Sequence, residues 1–393
     1  MHLALVTAYP PSLGSLNEYG FHLARVLAAK PEVTRLTILA DVLPEGTGHS
    51  RPPDPEHLRR VWRFNDPGNA VRVQRVLREI KPDAVLYNLQ FASFGDRKVA
   101  AALGLFAPLL SRQGGLPSIT LLHNIFETVD LDKAGFGGSS LSNHVTRLAG
   151  RLFTRVLLRS HLVALTLPRY VETLRGGYQA RNVFLAPHGA FEEPKTPAPL
   201  PEGRVVMTFG KFGTYKRVEV LIEAHRLLLE RDPALRLVIA GSDSPNARGY
   251  LEGVTAQFAD VPNIQFTGYV AEADVPDIFA GCTAVAFPYN STTGSSGVLH
   301  QAGEHGRAAV MPRIGDLADL IEEEGYRAEY FEPENAQSLA GALWRVIERP
   351  ERARELGMAN HLAACGLPLA DVADWYLLHF QRLQHLGGKR ADL

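Results

Sequence analysis

The chain has 393 residues, which is more than a single hydrophobic core usually fills, so we expect two domains. Its composition, 46% hydrophobic and 21% charged, is that of a soluble globular protein. The net charge of −1 conceals an asymmetry, because residues 1–190 carry 22 Lys and Arg against 14 Asp and Glu, whereas residues 191–393 carry 19 against 28. The basic half could face anionic lipid, a phosphorylated substrate or nucleic acid.

Two cysteines, Cys282 and Cys365, exclude a disulfide framework and have no metal-binding spacing, which favours a reducing compartment. The N-terminal sequence has no basic region and too short an apolar run for a signal peptide. No stretch of 18 or more predominantly apolar residues occurs that could cross a membrane. We therefore expect a cytoplasmic protein.

The first half of the chain alternates apolar strand segments with amphipathic helical segments. Strands are predicted at residues 2–8, 35–40, 61–64, 84–89, 118–122, 161–167 and 182–186. Helices are predicted at residues 16–29, 70–80, 97–110 and 143–159, and a short one ends at residue 175. Strands that alternate with helices imply parallel sheets built from βαβ units.

The same alternation restarts after a proline-rich segment, residues 192–202, which is the predicted linker. Strands are predicted at residues 204–209, 235–240, 263–267, 283–287, 308–311 and 328–331, and helices at residues 218–230, 246–258, 316–324, 336–348 and 369–386. The predicted fold is α/β, with domains at 1–191 and 203–368 and a final helical segment at 369–393. Two doubly wound, Rossmann-like domains facing across a cleft would bind ligand at the carboxyl ends of their strands.

Residues 291–297, here called the anion loop, connect a buried strand to the start of a helix. They consist of hydroxyl residues and two glycines, and the last five are Thr293, Gly294, Ser295, Ser296 and Gly297. Small side chains let a ligand approach the backbone, and the first amides of a helix lack internal partners. The helix dipole adds partial positive charge, so the loop predicts a phosphate site. An ordinary Ser or Thr helix cap is the alternative.

Two lysines, Lys211 and Lys216, flank a glycine turn after the first strand of the second half, next to Gly210. Each ammonium group could neutralise a different phosphate of a diphosphate. The spacing is not that of a P-loop, and solvated loop lysines are the alternative. The next two strands end at Gly241 and at Gly268, followed by Tyr269 and Val270, which could pack against a base or form an ordinary turn.

Together these motifs resemble the retaining family 4 glycosyltransferases of the GT-B fold, with the match extending over residues 204–360. Gly210, Lys211 and Lys216 correspond to the family's G-[RK]-x-x-x-x-K turn, and Gly241 to a strand ending in A-G. Residues 266–270 correspond to F-x-G-[FY]-V and residues 306–310 to G-x-P-V-V, with Ala in place of Pro. In the first half, residues 9–14 resemble the Y-P-P…G-G loop, His123 a strand-end histidine, and residues 187–189 the P-[NH]-G turn.

One part of the family pattern is missing. The family brackets its anion loop with two glutamates, and the corresponding positions here are Thr293 and Gln301. Gln301 could still bind a ribose hydroxyl without charge assistance, whereas Thr293 is too short to reach as a glutamate does. Glu304 lies three residues further on and is expected to point to the wrong face of the helix.

The resemblance implies transfer of a hexose from a nucleoside-diphosphate sugar to an acceptor hydroxyl, with retention of configuration. It implies catalytic roles for His123, Lys211 and Lys216. It also implies donor contacts for Gly14, Gly210, Gly241, Tyr269, Val270, Thr293, Gly294, Ser295, Ser296, Gly297 and Gln301. Relatives need no bound metal, and the sequence has no convincing D-x-D metal element or His/Cys ligand cluster, since Asp243 and Asp274 are isolated. The first domain would be the acceptor side and the second would bind the nucleotide sugar, with segment 369–393 packing back on the first.

The acceptor is inferred from charge. Two groups of arginines in the first half would suit a lipid-linked or polysaccharide precursor at a membrane surface. The first group consists of Arg59, Arg60, Arg63 and Arg72, and the second, at four-residue steps beside leucines, of Arg147, Arg151, Arg155 and Arg159. A solvated face on an ordinary helix is the alternative for the second group. For His123 the alternative is a structural histidine.

Three other functions remain as alternatives. A non-catalytic nucleotide-sugar binder of the same fold is favoured by the absence of both glutamates. A dinucleotide oxidoreductase lacks its G-x-G-x-x-G motif here. A nucleic-acid binder is disfavoured by the acidic second half.

Overall fold

In the computed structural model, the described residues are 1–12, 14, 16–43, 56–128, 140–191, 195–244, 247–291 and 294–385. The described residues up to His188, together with those from Leu369 onward, form one compact unit, and those from Gly189 to Pro368 form a second. Within the predicted linker, residues 192–194 lie outside the described residues, as do residues 386–393 of the final segment. No helix in the described ranges has the length and apolar character needed to span a bilayer.

The described part of the first unit contains a seven-stranded parallel sheet in the order β3-β2-β1-β4-β5-β6-β7. Its strands are β1 (His2–Val6), β2 (Arg35–Asp41), β3 (Leu58–Trp62), β4 (Ala84–Leu89), β5 (Ser118–Leu122), β6 (Leu162–Leu165) and β7 (Val183–Leu185). Its helices are α1 (Asn17–Ala29), α2 (Asn69–Ile80), α3 (Lys98–Gly104), α4 (Ala107–Gln113), α5 (Ser140–Leu157) and α6 (Pro168–Tyr178).

The described part of the second unit contains a six-stranded parallel sheet in the order β10-β9-β8-β11-β12-β13. Its strands are β8 (Val205–Phe212), β9 (Arg236–Asp243), β10 (Ile264–Gly268), β11 (Ala284–Ala286), β12 (Ala308–Pro312) and β13 (Ala328–Phe331). Its helices are α7 (Glu219–Leu229), α8 (Tyr250–Gln257), α9 (Val275–Ala280), α10 (Gly297–Glu304), α11 (Gly315–Glu324), α12 (Ala336–Ile347) and α13 (Pro350–Cys365). The last helix, α14 (Leu369–His385), belongs to the first unit and packs on α1.

The central strands form because they are short apolar runs that helices cover on both faces. Every residue of β4, β5, β6, β11 and β12 is buried. Such continuous burial is typical of parallel sheets, whose crossover helices cover both faces. The predicted fold class, α/β with two Rossmann-like domains, is confirmed.

Two predicted elements differ from the structure. The single helix predicted at residues 97–110 is two helices, because Pro108 opens α4 and the Phe94 ring packs against Gly104 at the end of α3. The strand predicted at residues 61–64 is Leu58–Trp62, paired with β2. Its start was missed because Arg59 and Arg60 hide the apolar pattern.

The linker is fixed to the second unit by a buried arginine. Arg307 is 1% exposed. Its guanidinium donates to the carbonyls of Ala198 and Pro199 in the linker, at 3.1 and 3.3 Å, and of Phe279 and Ala280 in α9, at 2.7 and 3.2 Å. One side chain thus satisfies carbonyls at the end of a helix and in a proline-rich segment whose own N–H groups are few.

We expect Arg307→Met to lower the free energy of unfolding of the second unit by about 3 kcal/mol or more, because each buried carbonyl left without a donor costs about 1–3 kcal/mol. Urea denaturation measures the effect. The matched control is Arg354→Met on α13, whose side chain is 64% exposed in a 3.8 Å ion pair with Glu351; such surface pairs contribute less than about 1 kcal/mol. Equal midpoints for the two variants would contradict the structural role of Arg307.

Candidate functional site

The second sheet has a switch point, where its strand order reverses. From β8 the chain moves outward through β9 and β10, and then returns to the other side of β8 with β11, β12 and β13. The crossovers therefore diverge between β8 and β11. In open parallel sheets ligands bind outside the carboxyl ends of the strands at such a switch point.

Three glycines lie side by side at this carboxyl edge. Gly210 of β8 is in register with Gly241 of β9, which is in register with Gly268 of β10. Gly210 and Gly241 have φ values of 128° and 137°, which L side chains rarely adopt. A Cβ on Gly241 would lie 1.9 Å from the carbonyl oxygen of Gly210. The edge is therefore bare backbone that a ligand can approach closely.

Lys216 lies against this bare edge. Its Nζ is 2.8 Å from the position that a Cβ on Gly210 would occupy, and 5.0 Å from the ring centroid of Tyr289. Backbone bonds hold it there, because Lys216 bridges Tyr289 and the amide of Asn290 donates to the carbonyl of Tyr215 at 3.0 Å. The loop after β8 is thereby fastened to the loop after β11. Burial raises the pKa of the Tyr289 hydroxyl, so the ammonium faces a neutral ring.

The other predicted residues of this edge occupy different positions. Lys211 lies on β8 itself, in register with Ser242 of β9, because the strand continues past the predicted glycine turn to Phe212. Tyr269 follows β10 and is 57% exposed. Val270, beside it, is half-buried. Tyr269 can therefore offer an aromatic face at the end of the sheet.

The start of α10 lies beside the same edge. Ser296 caps the helix, with its Oγ accepting the amide of Leu299 at 3.4 Å. Val298, in the first turn, has Cγ2 at 3.8 Å from the Cβ position of Gly210. The amide of Gly294 donates to the buried carboxylate of Asp316 at 2.9 Å, so it is used within the protein. The amides of Gly297 and Val298 lie in the first turn of α10, where helix amides have no intrahelical partner and carry the positive end of the helix dipole.

Of the two residues aligned with the family's glutamates, Gln301 is among the described residues. Thr293 lies outside the described residues. Gln301 lies in α10 and is 5% exposed. The carboxylate of Glu304 accepts the amide of Phe191, so it is held by the backbone just before the linker.

In the first unit, His123 lies at the carboxyl end of β5, next to the switch point between β1 and β4. Its Nε2 is 2.7 Å from Asn88 Oδ1, and Asn88 Nδ2 donates to Thr7 Oγ1 at 2.9 Å. Since Asn88 accepts through its oxygen, His123 carries its proton on Nε2 and leaves Nδ1 as an acceptor. Burial, with a smaller contribution from His188, lowers the pKa of His123 well below 6.5. The ring is therefore neutral at pH 7, and it contacts Tyr19 edge-on at 4.5 Å.

Gly14 lies in the loop after β1. Its amide donates to Ser12 Oγ at 2.9 Å, and Ser12 donates in turn to the buried carboxylate of Asp41. Arg60 donates to the carbonyls of Tyr9 and Pro10 in the same loop, at 2.9 and 2.7 Å. Arg60 therefore holds this loop in place. Of the other predicted basic residues, Arg59 pairs with Glu79 and Arg72 with Asp66.

The sequence analysis did not identify Asn88, Asp316 or Tyr289 as site residues. Asn88 could have been found, since it is a polar residue inside an otherwise apolar buried strand. No sequence pattern indicated Asp316, because its contact with Gly294 joins the first turn of α11 to a loop distant in sequence. Among the described residues, no group of three or more His, Cys, Asp or Glu side chains is arranged to hold a metal ion.

Comparisons with known proteins agree with this architecture. Residues 203–349 match the family model "Glycosyl transferases group 1". Over 200 residues the chain is 27% identical to mannosylfructose-phosphate synthase of Agrobacterium fabrum, covering 44% of each chain. Over 171 residues it is 26% identical to D-inositol 3-phosphate glycosyltransferase of Streptomyces griseus, covering 41% of this chain and 35% of that one. The chain thus spans less than half the length of these curated relatives.

Solved structures resemble nearly the whole chain. A sucrose-phosphate synthase from Thermosynechococcus elongatus superposes with a TM-score of 0.73 at 16% identity, covering 98% of this chain and 99% of that one. The Anabaena protein HepE, in complex with UDP-glucose, superposes with a TM-score of 0.69 at 17% identity, covering 98% and 100%. At such identities the likeness shows the fold alone. Residues 203–349 therefore match the glycosyltransferase group 1 model, and the chain shares the GT-B fold of these structures.

Proposed function

We propose that this protein is a retaining glycosyltransferase that moves a hexose from a nucleoside-diphosphate sugar to an acceptor hydroxyl. The observation that carries the proposal is the position of the Lys216 ammonium, beside the bare backbone of Gly210 and the first turn of α10. In the reaction, the bond between C1 of the sugar and the diphosphate oxygen breaks. A bond from C1 to the acceptor oxygen forms on the same face. The electron pair of the broken bond stays on the diphosphate oxygen, and the proton of the acceptor hydroxyl passes to the departing diphosphate.

Catalysis would come from stabilising the departing diphosphate. Lys211 and Lys216 supply positive charge, and the amides of Gly297 and Val298 at the start of α10 supply fixed donors, as in an oxyanion hole. Because Gly294 already donates to Asp316, it is not among these donors. The two lysines make a bound metal unnecessary for this step.

The rest of the donor would lie along the carboxyl edge of the second sheet. The backbone at Gly241 admits the nucleotide, and the exposed Tyr269, with Val270 beside it, offers a surface for the base. Gln301 would bind a ribose hydroxyl, about 1 kcal/mol less strongly than a glutamate. Ser295 would face the sugar or its phosphate, and we propose that the Nδ1 of His123 accepts a hydroxyl of the sugar. HepE, a protein of similar fold, binds UDP-glucose, which supports a donor of this class.

We expect one of UDP, GDP, ADP and dTDP to raise the melting temperature, and Lys211→Ala combined with Lys216→Ala to abolish the shift. A charge-assisted bond contributes about 1.5–3 kcal/mol, so the double variant should bind at least tenfold more weakly. Isothermal titration calorimetry measures the affinity. Lys195→Ala, an exposed lysine of the linker, is the matched control and should bind like the wild type.

Labelled sugar nucleotides then separate the enzyme from the non-catalytic binder of the same fold, the alternative favoured by the absence of both family glutamates. Transfer or slow hydrolysis of one sugar nucleotide, lost in the lysine double variant, supports the enzyme. Binding without either reaction would favour the binder. Undiminished binding by the double variant would contradict the lysine assignment.

The buried, neutral His123 predicts a pH-dependent stability. Its folded pKa is depressed, so on acidification below about pH 6.5 the unfolded chain takes up a proton that the folded chain resists. Wild-type stability should therefore fall relative to His123→Gln between pH 8 and pH 5, by up to about 2 kcal/mol. Urea denaturation at each pH measures the difference. A difference between wild type and His123→Gln that stays constant from pH 8 to pH 5 would contradict a neutral buried ring.

We further propose that the acceptor is a lipid-linked or polysaccharide precursor at the cytoplasmic face of a membrane, which α5 contacts peripherally. Leu148 and Leu152 of α5 are 64% and 57% exposed. The exposed side chains of Arg151, Arg155 and Arg159 accompany them. Exposed leucines beside arginines are typical of a helix that lies in an anionic lipid surface. The solved structure of WaaG, a glycosyltransferase involved in lipopolysaccharide biosynthesis, has a similar fold (TM-score 0.64, 13% identity, covering 96% and 98%), which supports an acceptor of this class.

We expect the protein to sediment with vesicles of phosphatidylcholine and phosphatidylglycerol, and not with phosphatidylcholine alone. Leu148→Ser combined with Leu152→Ser should weaken this binding about tenfold or more, because two leucines lose their apolar burial. The matched control, Val71→Ser with Val99→Ser, removes two other exposed apolar side chains of the same unit. Equal sedimentation of both double variants would contradict the role of α5.

A further inference from the structure

Behind the anion loop lies a buried group of titratable side chains that the proposed reaction does not use. His300 of α10 is completely buried. Its Nε2 lies 3.1 Å from Ser295 Oγ in the anion loop, and its Nδ1 lies 2.9 Å from the hydroxyl of Tyr326. His300 therefore contacts the loop through one ring nitrogen and the interior of the unit through the other.

A carboxyl group completes this buried group. Glu324, the last residue of α11, has a side chain that is only 8% exposed, and its Oε2 lies 3.5 Å from His300 Nε2. That separation allows an ion pair but is longer than a good hydrogen bond, and Oε2 makes no hydrogen bond within the described residues. Burial, assisted by the charge of Glu323, raises the pKa of Glu324 to about 8. The carboxyl group thus stands beside an imidazole with which it can share a proton.

The geometry rules out a nucleophilic relay of the Ser–His–acid type. In such a relay the serine and the acid contact opposite ring nitrogens. Here Ser295 and Glu324 face the same nitrogen, and a tyrosine takes the other. The arrangement instead suits a proton shared between His300 and Glu324. With this proton the pair has no net charge, and without the proton the pair has a charge of −1.

We propose that His300 is a positioning residue that orients the Ser295 hydroxyl towards the diphosphate of the donor, and that the proton held by His300 and Glu324 controls donor affinity. The inference rests on the proposed function, because Ser295 is taken to contact the diphosphate. A diphosphate is anionic, so it binds better to the neutral pair than to the pair with an ionised carboxylate. By linkage, donor binding then favours uptake of the proton.

Among the charged and titratable groups around His300 and Glu324, we assign the gain and loss of the proton to Glu324. Glu323 is its exposed neighbour on α11, while Glu304 of α10 and Cys365 of α13 lie near the Tyr326 hydroxyl. Glu304 accepts the amide of Phe191, and Asp316 at the other end of α11 accepts the amide of Gly294. Helix α11 thus contacts the anion loop twice, directly through Asp316 and indirectly through Glu324 and His300.

The experiment compares the affinities of wild type, Glu324→Gln and Glu323→Gln for whichever of UDP, GDP, ADP and dTDP binds most tightly, from pH 7.5 to pH 9.5. The terminal phosphate ionises near pH 6, so its charge stays constant over this range. We expect wild-type affinity to fall as pH rises past 8, and Glu324→Gln to bind about threefold to tenfold more tightly than wild type at pH 9. Glu323→Gln removes the same charge at an exposed position but keeps the Glu324 carboxyl group, so its affinity should still fall as pH rises, beginning at a somewhat lower pH than in the wild type. Equal affinities of wild type and Glu324→Gln at pH 9 would overturn the coupling.

Substitutions of His300 test its positioning role. His300→Gln keeps an N–H near the position of Nε2, whereas His300→Leu removes both ring nitrogens. We expect the leucine variant to bind the same nucleoside diphosphate about tenfold more weakly at pH 7.5, and the glutamine variant to recover most of the loss. A glutamine variant as weak as the leucine variant would overturn the role of His300.

A measurement without ligand separates failure of this inference from failure of the proposed function. Because the folded pKa of Glu324 is raised, the protein loses stability as pH rises from about 4.5 to 8, and Glu324→Gln should gain on the wild type over that interval. A constant difference between them would overturn the shared proton even if nucleotides bind. If no nucleotide binds the wild type at any pH, the coupling fails with the proposed function, while this stability difference still decides whether the buried proton exists.

Discussion

The candidate site of the second unit depends on the backbone link between the loop after β8 and the loop after β11. The bridge between Lys216 and Tyr289 closes the switch point of the sheet and holds an ammonium group against the bare backbone of Gly210. The strands alone would only create a crevice at this point. The link places one fixed positive charge, the Lys216 ammonium group, at the switch point and next to the first turn of α10. The point where the sheet reverses its order, a glycine edge and a helix start are thereby brought together, and we propose that they bind the diphosphate.

Much of the fold could be predicted from the sequence, because buried parallel strands are short apolar runs and the helices between them are amphipathic. The errors occurred where polar residues lie inside an element or where a break depends on packing. Arg60 hid the start of β3, since its guanidinium is used on the carbonyls of Tyr9 and Pro10. Pro108 and the Phe94 ring against Gly104 divided one predicted helix into two.

The candidate site was less predictable, because its geometry depends on contacts between distant segments. The meeting of Gly210 and Gly241 follows from parallel strands sharing one edge, and the sequence indicated both. The contact of Gly294 with Asp316 does not follow from any pattern, although it removes one amide from the predicted anion site. The same holds for His300 and Glu324, which only the packing of α10 against its neighbours brings together. Buried polar groups of this kind decide how the loop presents itself to a ligand, and a linear sequence does not display them.

The central claim is that a diphosphate binds between the Lys216 ammonium and the start of α10, and a crystal structure with a bound nucleoside diphosphate tests it most directly. We expect the phosphates within hydrogen-bonding distance of Lys216 Nζ and of the amides of Gly297 and Val298, with the base towards Tyr269. A nucleotide bound elsewhere, with that position occupied only by solvent, would contradict the claim.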